Sequence, residues 1–151
     1  RSHRTVHALL KAKADGNIDL ADKKTVLHFA SGHVLKVLLE TKGVDVKACD
    51  INGTTTLHLA AHAHFDRVGS GGIRMHVRAG ADIGAQDNTG FTPLHIVSMH
   101  LREGAVGIFL ECGVDTTIGA FRKGNTAEKI IGAKFNWPLT SAKRKPQAFS
   151  I

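Results

Sequence analysis

The sequence predicts an all-α fold built as a solenoid of repeated helical units joined by hairpin-like turns. Three recurrences carry that prediction. Thr25-Val26-Leu27-His28-Phe29-Ala30 returns as Thr55-Thr56-Leu57-His58-Leu59-Ala60 and again as Thr92-Pro93-Leu94-His95-Ile96-Val97. Downstream of each comes a second pattern: Gly43-Val44-Asp45-Val46, Gly80-Ala81-Asp82-Ile83 and Gly113-Val114-Asp115-Thr116. Upstream of two of them stands Asp-x-x-Gly, as Asp50-Ile51-Asn52-Gly53 and Asp87-Asn88-Thr89-Gly90. From Leu27 to Leu57 is 30 residues and from Gly80 to Gly113 is 33. Self-similarity at such a period marks stacked repeats.

Each motif has a physical reading. Thr92 precedes an apolar run and Pro93 takes the first helical position, where its missing N–H is no loss. His95 follows Leu94, a core position, and can bond to backbone or to the Thr of a neighbouring unit. Gly80 and Gly113 lie just past apolar helices, where a left-handed residue ends the helix. Asp82 and Asp115 then begin a turn into the next unit. Ile51-Asn52-Gly53 and Asn88-Thr89-Gly90 are tight-turn sequences with Gly at the positive-φ place.

Together the three motifs resemble the ankyrin-repeat family over about residues 6–132. The resemblance implies units of a turn followed by two short antiparallel helices. Residues 1–21 then form a half repeat whose first helix is missing, with Val6, Leu9 and Leu10 on the second helix. That gap suggests truncation, and Arg1 in place of Met fits a fragment, a processed chain or a chain whose start was not seen. Repeat one, about 22–49, lacks the turn glycine at Asp22-Lys23-Lys24, and Gly32-His33 arrives early, so its first helix is short. Val34, Leu35, Val37, Leu38 and Leu39 make its second helix. Repeat two, about 50–86, carries an insertion loop around Gly69-Ser70-Gly71-Gly72, and its second helix resumes at Ile73. Met75 and Val77 are expected inside, Arg74 and Arg78 outside. Repeat three, about 87–119, has Leu101 in place of the inter-helix glycine. Gly104 and Gly107 weaken its second helix by about 1 kcal/mol each relative to Ala, and Ile108, Phe109 and Leu110 supply its core. A C-terminal cap, about 120–136, holds a helix over 128–133. Residues 137–151 read as a basic extended tail.

Composition limits the function. Of the 151 residues, 42% are hydrophobic and 22% charged, which excludes gross disorder and coiled coil. No apolar run is long enough for a transmembrane helix. Two cysteines, Cys49 and Cys112, make neither a disulfide framework nor a thiolate zinc site, and fit a reducing compartment. The expected location is intracellular and cytoplasmic, with nuclear and organellar placement left open. The net charge of +7 belongs to the ends: Arg1, Arg4, Lys11 and Lys13 at one, Lys143, Arg144 and Lys145 at the other. Between them 13 basic residues face 13 acidic ones.

No catalytic, metal or cofactor-binding residues are predicted. His28, His58 and His95 belong to the repeat motif. His62 and His64 point about 200° apart on a helix and cannot share a metal. No Ser or Cys stands beside a His with an orienting acid, paired carboxylates are absent, and the Gly69–Gly72 cluster lacks a Gly-Lys-Ser/Thr ending. The chain is therefore expected to be a non-catalytic protein–protein interaction module, a scaffold or adaptor. The resemblance puts partner contacts on a concave face of turn tips and first helices: Ile51, Asn52, Thr54 and His62 in repeat two, and Asn88, Thr89, Phe91, Met99 and His100 in repeat three. Phe91 beside Met99 would be an apolar anchor; alternatively Phe91 packs on the neighbouring turn. Lys143-Arg144-Lys145 reads as a solvated tail, a contact along a partner in a large assembly, a nuclear import signal, or an anchor on an anionic surface such as nucleic acid, acidic protein or lipid. Two alternatives follow: a peripheral subunit of a ribonucleoprotein or membrane assembly held by its basic ends, and a regulatory segment of a larger enzyme or channel.

Overall fold

A computed structural model of the chain describes residues 15–17, 21–62, 69–120 and 124–135. Its helices are α1 (Val26–Phe29), α2 (Gly32–Glu40), α3 (Thr56–His62), α4 (Gly69–Arg78), α5 (Pro93–Met99), α6 (Glu103–Glu111) and α7 (Ala127–Phe135), preceded by a short 3-10 turn at Ala21–Lys23. The half repeat before residue 15 and the basic tail after 136 lie outside the described residues.

The helices form two rows. α1, α3, α5 and α7 pack in succession in the inner row, and α2, α4 and α6 in the outer. α3 packs on α4 and α5 on α6 across the rows. The fold is an all-α, ankyrin-like solenoid. Hairpin turns link the units: Cys49 pairs with Thr55 and Gly119 with Thr126 in isolated antiparallel bridges, and Asp87 N–H donates to Phe91 O at 2.9 Å. Gly43, Gly80 and Gly113 end α2, α4 and α6 at φ 90°, 88° and 74°, as the motif reading expected.

The core is aliphatic. Leu57, Ala61, Ile73, Leu94, Val97, Val106, Phe109, Ala127 and Ile131 form one buried cluster shared by the last three units. Repeat one contributes less. α1 is four residues long, whereas α3 and α5 have seven. Of the apolar residues of α2 only Leu38 is fully buried. Where the turn glycine is missing, Asp22 and Lys23 adopt left-handed φ of 63° and 58°, a conformation unfavourable for side-chain-bearing residues.

Two expectations for repeat two are corrected. Gly69–Gly72 is no insertion loop: it forms the first turn of α4, which begins at Gly69 rather than Ile73. The glycines pass into the helix because Gly72 lies buried and its carbonyl accepts from His76 Nδ1 at 2.8 Å. The inward face is also different. Gly72, Ile73 and His76 are buried, while Met75 and Val77 are half-buried. Residues two apart on a helix diverge by about 200°: Val77 packs half-buried against the core cluster, while Met75 turns away from it into the trough facing α2. Arg74 bridges to Glu111 of α6 at 2.8 Å. His76 Nε2 is buried without a hydrogen-bond partner among the described residues.

Leu101 turns the chain between α5 and α6 at φ 56°, and its side chain is 56% exposed. Leu101→Gly relieves left-handed strain while giving up little burial, so a gain of about 0.5–1 kcal/mol is expected. A higher urea midpoint with an unchanged slope is the confirming result.

Candidate binding surface

The inner row is held in place by its histidines. His58 Nδ1 accepts from the Thr55 backbone N–H at 3.1 Å and lies 2.8 Å from Thr55 Oγ1. His58 Nε2 reaches the Phe91 carbonyl of the next unit at 3.0 Å. His95 repeats this with Thr92 at 3.1 and 2.8 Å and with the Asn125 carbonyl at 3.0 Å. His28 does so with Thr25 and, at 3.2 Å, with the Thr54 carbonyl. The Thr partner is therefore the histidine's own, not the neighbour's; the neighbour supplies a carbonyl. An Nδ1 that accepts and an Nε2 facing a carbonyl define the neutral Nε2–H imidazole. Each bond lands one residue before the next unit's N-capping position, so the inner helices start side by side and run parallel. Burial pushes His58 and His95 below the ordinary imidazole value. Burial lowers His76 likewise.

The turn tips are equally tied down. Asp50 Oδ1 accepts the N–H groups of Asn52 and Thr54 at 2.8 and 3.0 Å. Burial raises the Asp50 carboxyl, but these N–H bonds outweigh it and leave it below its usual range. Asp87 Oδ1 likewise accepts the N–H groups of Thr89 and Phe91 at 2.8 and 2.9 Å. Neighbouring tips are stitched together: Asn88 N–H donates to Asn52 O and Asn88 Nδ2 to Ile51 O, both at 2.9 Å. Ile51 N–H donates to Asp22 O at 3.0 Å. Gly53 sits at φ 73°, and an added Cβ would lie 2.7 Å from Asn88 Oδ1, which forces glycine there.

This geometry sorts the expected contact residues. Ile51, Asn52, Asn88 and Thr89 are exposed and lie along one row of tips, although Thr89 Oγ1 donates to Asp87 at 2.6 Å. Thr54 is half-buried, its backbone used in the turn and in the His28 bond. At the other end of the inner helices His62 and His100, both exposed, meet edge to face with ring centroids 5.3 Å apart. Met99 is 44% exposed at the end of α5. The side-by-side pairing of Phe91 and Met99 does not hold. Phe91 precedes the N-cap of α5 and Met99 ends that helix, about 12 Å away along its axis at 1.5 Å per residue. Phe91 is half-buried, its ring edge to face with His95 at 5.6 Å.

Two features were missed in the sequence. Phe29 is 65% exposed; the early Gly32 was the available signal, since it cuts α1 short. Arg102 had no signal. Its guanidinium donates to the Ala61 and His62 carbonyls at 3.3 and 3.0 Å. It thereby caps the C-terminus of α3 from the following unit, where a cation complements the helix dipole. Arg102→Gln should lower stability by about 1–2 kcal/mol, read as a urea midpoint shift; no shift would remove this role.

Among the described residues no three His, Cys, Asp or Glu side chains are grouped to hold a metal ion. Cys49 is exposed and Cys112 half-buried, the latter with its thiol pushed up by burial. No described helix is long and apolar enough to cross a membrane.

No protein-family model matches the chain. Over 112 residues it is 27% identical to a protein of Rickettsia bellii (strain RML369-C) provisionally named as an ankyrin repeat protein. The match covers 68% of this chain and 60% of that protein. That name is consistent with the helical repeat fold described above.

Proposed function

We propose that the chain is a non-catalytic protein–protein interaction module, acting as scaffold or adaptor, whose contact face runs from the row of turn tips over the inner helices to the His62–His100 pair. The observation that carries this is the stitched row of tips. Ile51, Asn52, Asn88 and Thr89 present exposed side chains on a backbone whose hydrogen bonds are internal. Such a row meets a partner with its backbone already ordered, which lowers the ordering penalty of binding. The repeats extend over residues 1–136 in this reading, and Lys143, Arg144 and Lys145 form an accessory basic tail.

The test is affinity capture from cell extract at low salt and at about 0.5 M salt, where exposed charges are screened within a few ångström. Capture that survives high salt and is lost in Ile51→Asp and Met99→Asp supports the face. Capture that collapses with salt, or on removal of residues 137–151, moves the function to the basic ends and to a ribonucleoprotein or membrane assembly.

A further inference from the structure

We propose that the trough between α2 and α4, on the outer row, is a second docking site that takes an acidic amphipathic helix of a partner protein. The trough has a volume of about 430 Å³ and is lined by Lys36, Leu39, Glu40, Met75, Arg78 and Ala79. Its apolar lining is Leu39, Met75 and Ala79, all half-buried. Apolar side chains left half-covered by their own fold are what a partner's apolar residues seat on. Between α4 and α6 the equivalent gap is spanned by Arg74 and Glu111 at 2.8 Å; no such pair spans α2 and α4 among the described residues.

The lining selects the occupant. Two cations, Lys36 and Arg78, face one acid, Glu40. Glu40 already lies 4.0 Å from Lys36 one turn away, and Arg78 has no ion pair among the described residues. The trough therefore presents net positive charge and complements a carboxylate. It is half open to solvent, so it offers a surface groove more than the enclosed cavity typical of a small-molecule pocket. Ala79, just past the end of α4, stands one turn after Met75, to whose carbonyl its N–H donates at 3.0 Å, and Leu39 lines the trough from α2. A helix with two apolar residues at i and i+4, flanked by Glu, matches that spacing. The unbranched Met75 side chain adapts to the residue it meets.

The chain has two methionines, which makes the test direct. Met75 lies in the trough and Met99 on the inner-row face, so carbon-13 methionine-methyl NMR separates the two surfaces. The probe is a helical peptide of about 14 residues with two Leu at i and i+4 flanked by Glu, alongside a twin with Lys for Glu, each titrated into the full chain. The Glu peptide is expected to shift the Met75 methyl, leave Met99 in place, and bind at least about tenfold more tightly than the Lys peptide, which is 1.4 kcal/mol or more. Arg78→Glu and Lys36→Glu, both on exposed side chains, should reverse that preference, while Met99→Asp should leave it intact. Equal binding of the two peptides, a shift at Met99 alone, unchanged preference in Arg78→Glu, or no Met75 shift at about 1 mM peptide each overturns the proposal. Only a shift at Met99 alone touches the inner-row face; the tip row is reported on by its own variants.

Discussion

Phe109→Ala is expected to lower stability by about 3–5 kcal/mol, the range for removing a buried aromatic ring. Phe109 is 0% exposed on α6 and sits in the cluster formed by Leu57, Ile73, Leu94, Val106 and Ile131. Those residues come from α3, α4, α5, α6 and α7, so the ring couples three consecutive units. In a repeat protein stability resides in such nearest-neighbour interfaces, and a cavity there loosens the units on both sides. A domain of this size has only about 5–15 kcal/mol in all, so the variant should unfold at much lower urea. Phe91→Ala is the internal comparison: its ring is half-buried, and the loss should be near 1 kcal/mol by its smaller buried area. Equal midpoints for the two variants would show that Phe109 does not hold the interface.

His95→Ala is expected to destabilise by about 2–4 kcal/mol, because the Thr92 N–H and the Asn125 carbonyl lose their partner at once and a void remains. The same chemistry predicts a pH dependence. His58, His76 and His95 are all lowered by burial below the ordinary 6.5. The unfolded chain thus takes up protons near pH 6.5 while the folded chain does not until lower pH. The stabilisation is complete above about pH 6.5 and is lost as pH falls below it toward the folded values. Each such histidine adds a slope of at most about 1.4 kcal/mol per pH unit. Protonation sets an Nδ1–H against the Thr55 or Thr92 N–H, so the inter-unit carbonyl bond loses its aligned ring. Urea midpoints at pH 7.5, 6.5 and 5.5 check this. The midpoint should drop below pH 6.5, and the drop should shrink in His58→Ala and His95→Ala. A midpoint flat from pH 7.5 to 5.5 would refute it. Asp50 and Asp115, held low by hydrogen bonds, add their loss only below the carboxylate range near 3.8, in a separate acid window.

What the amino-acid order determined by itself was the capping and turn chemistry of single units. Thr92 and Pro93 start α5, the glycines at 43, 80 and 113 end helices in left-handed backbone, and Asp50 and Asp87 fold turn tips, all through bonds within a few residues. The apolar run Ile108-Phe109-Leu110 reads as core from its composition; Ile108 and Phe109 are buried, and Leu110 packs half-buried against the same cluster. Phe91 and Met99 show the limit. Their shared place on a resembled face said nothing of the α5 axis between them, or of the His95 ring that occupies Phe91. Gly69–Gly72 was misread because composition favours a loop, whereas α4's contacts with α2, α3 and α6 over-ride a weak helix propensity of about 1 kcal/mol per glycine. Arg102 on the end of α3, the His62–His100 contact and the trough between α2 and α4 join residues some 40 positions apart. Only the stacking of one unit on the next brings such groups within reach, because hydrogen bonds and charge pairs depend on distance in space, which chain order constrains only over a turn or two.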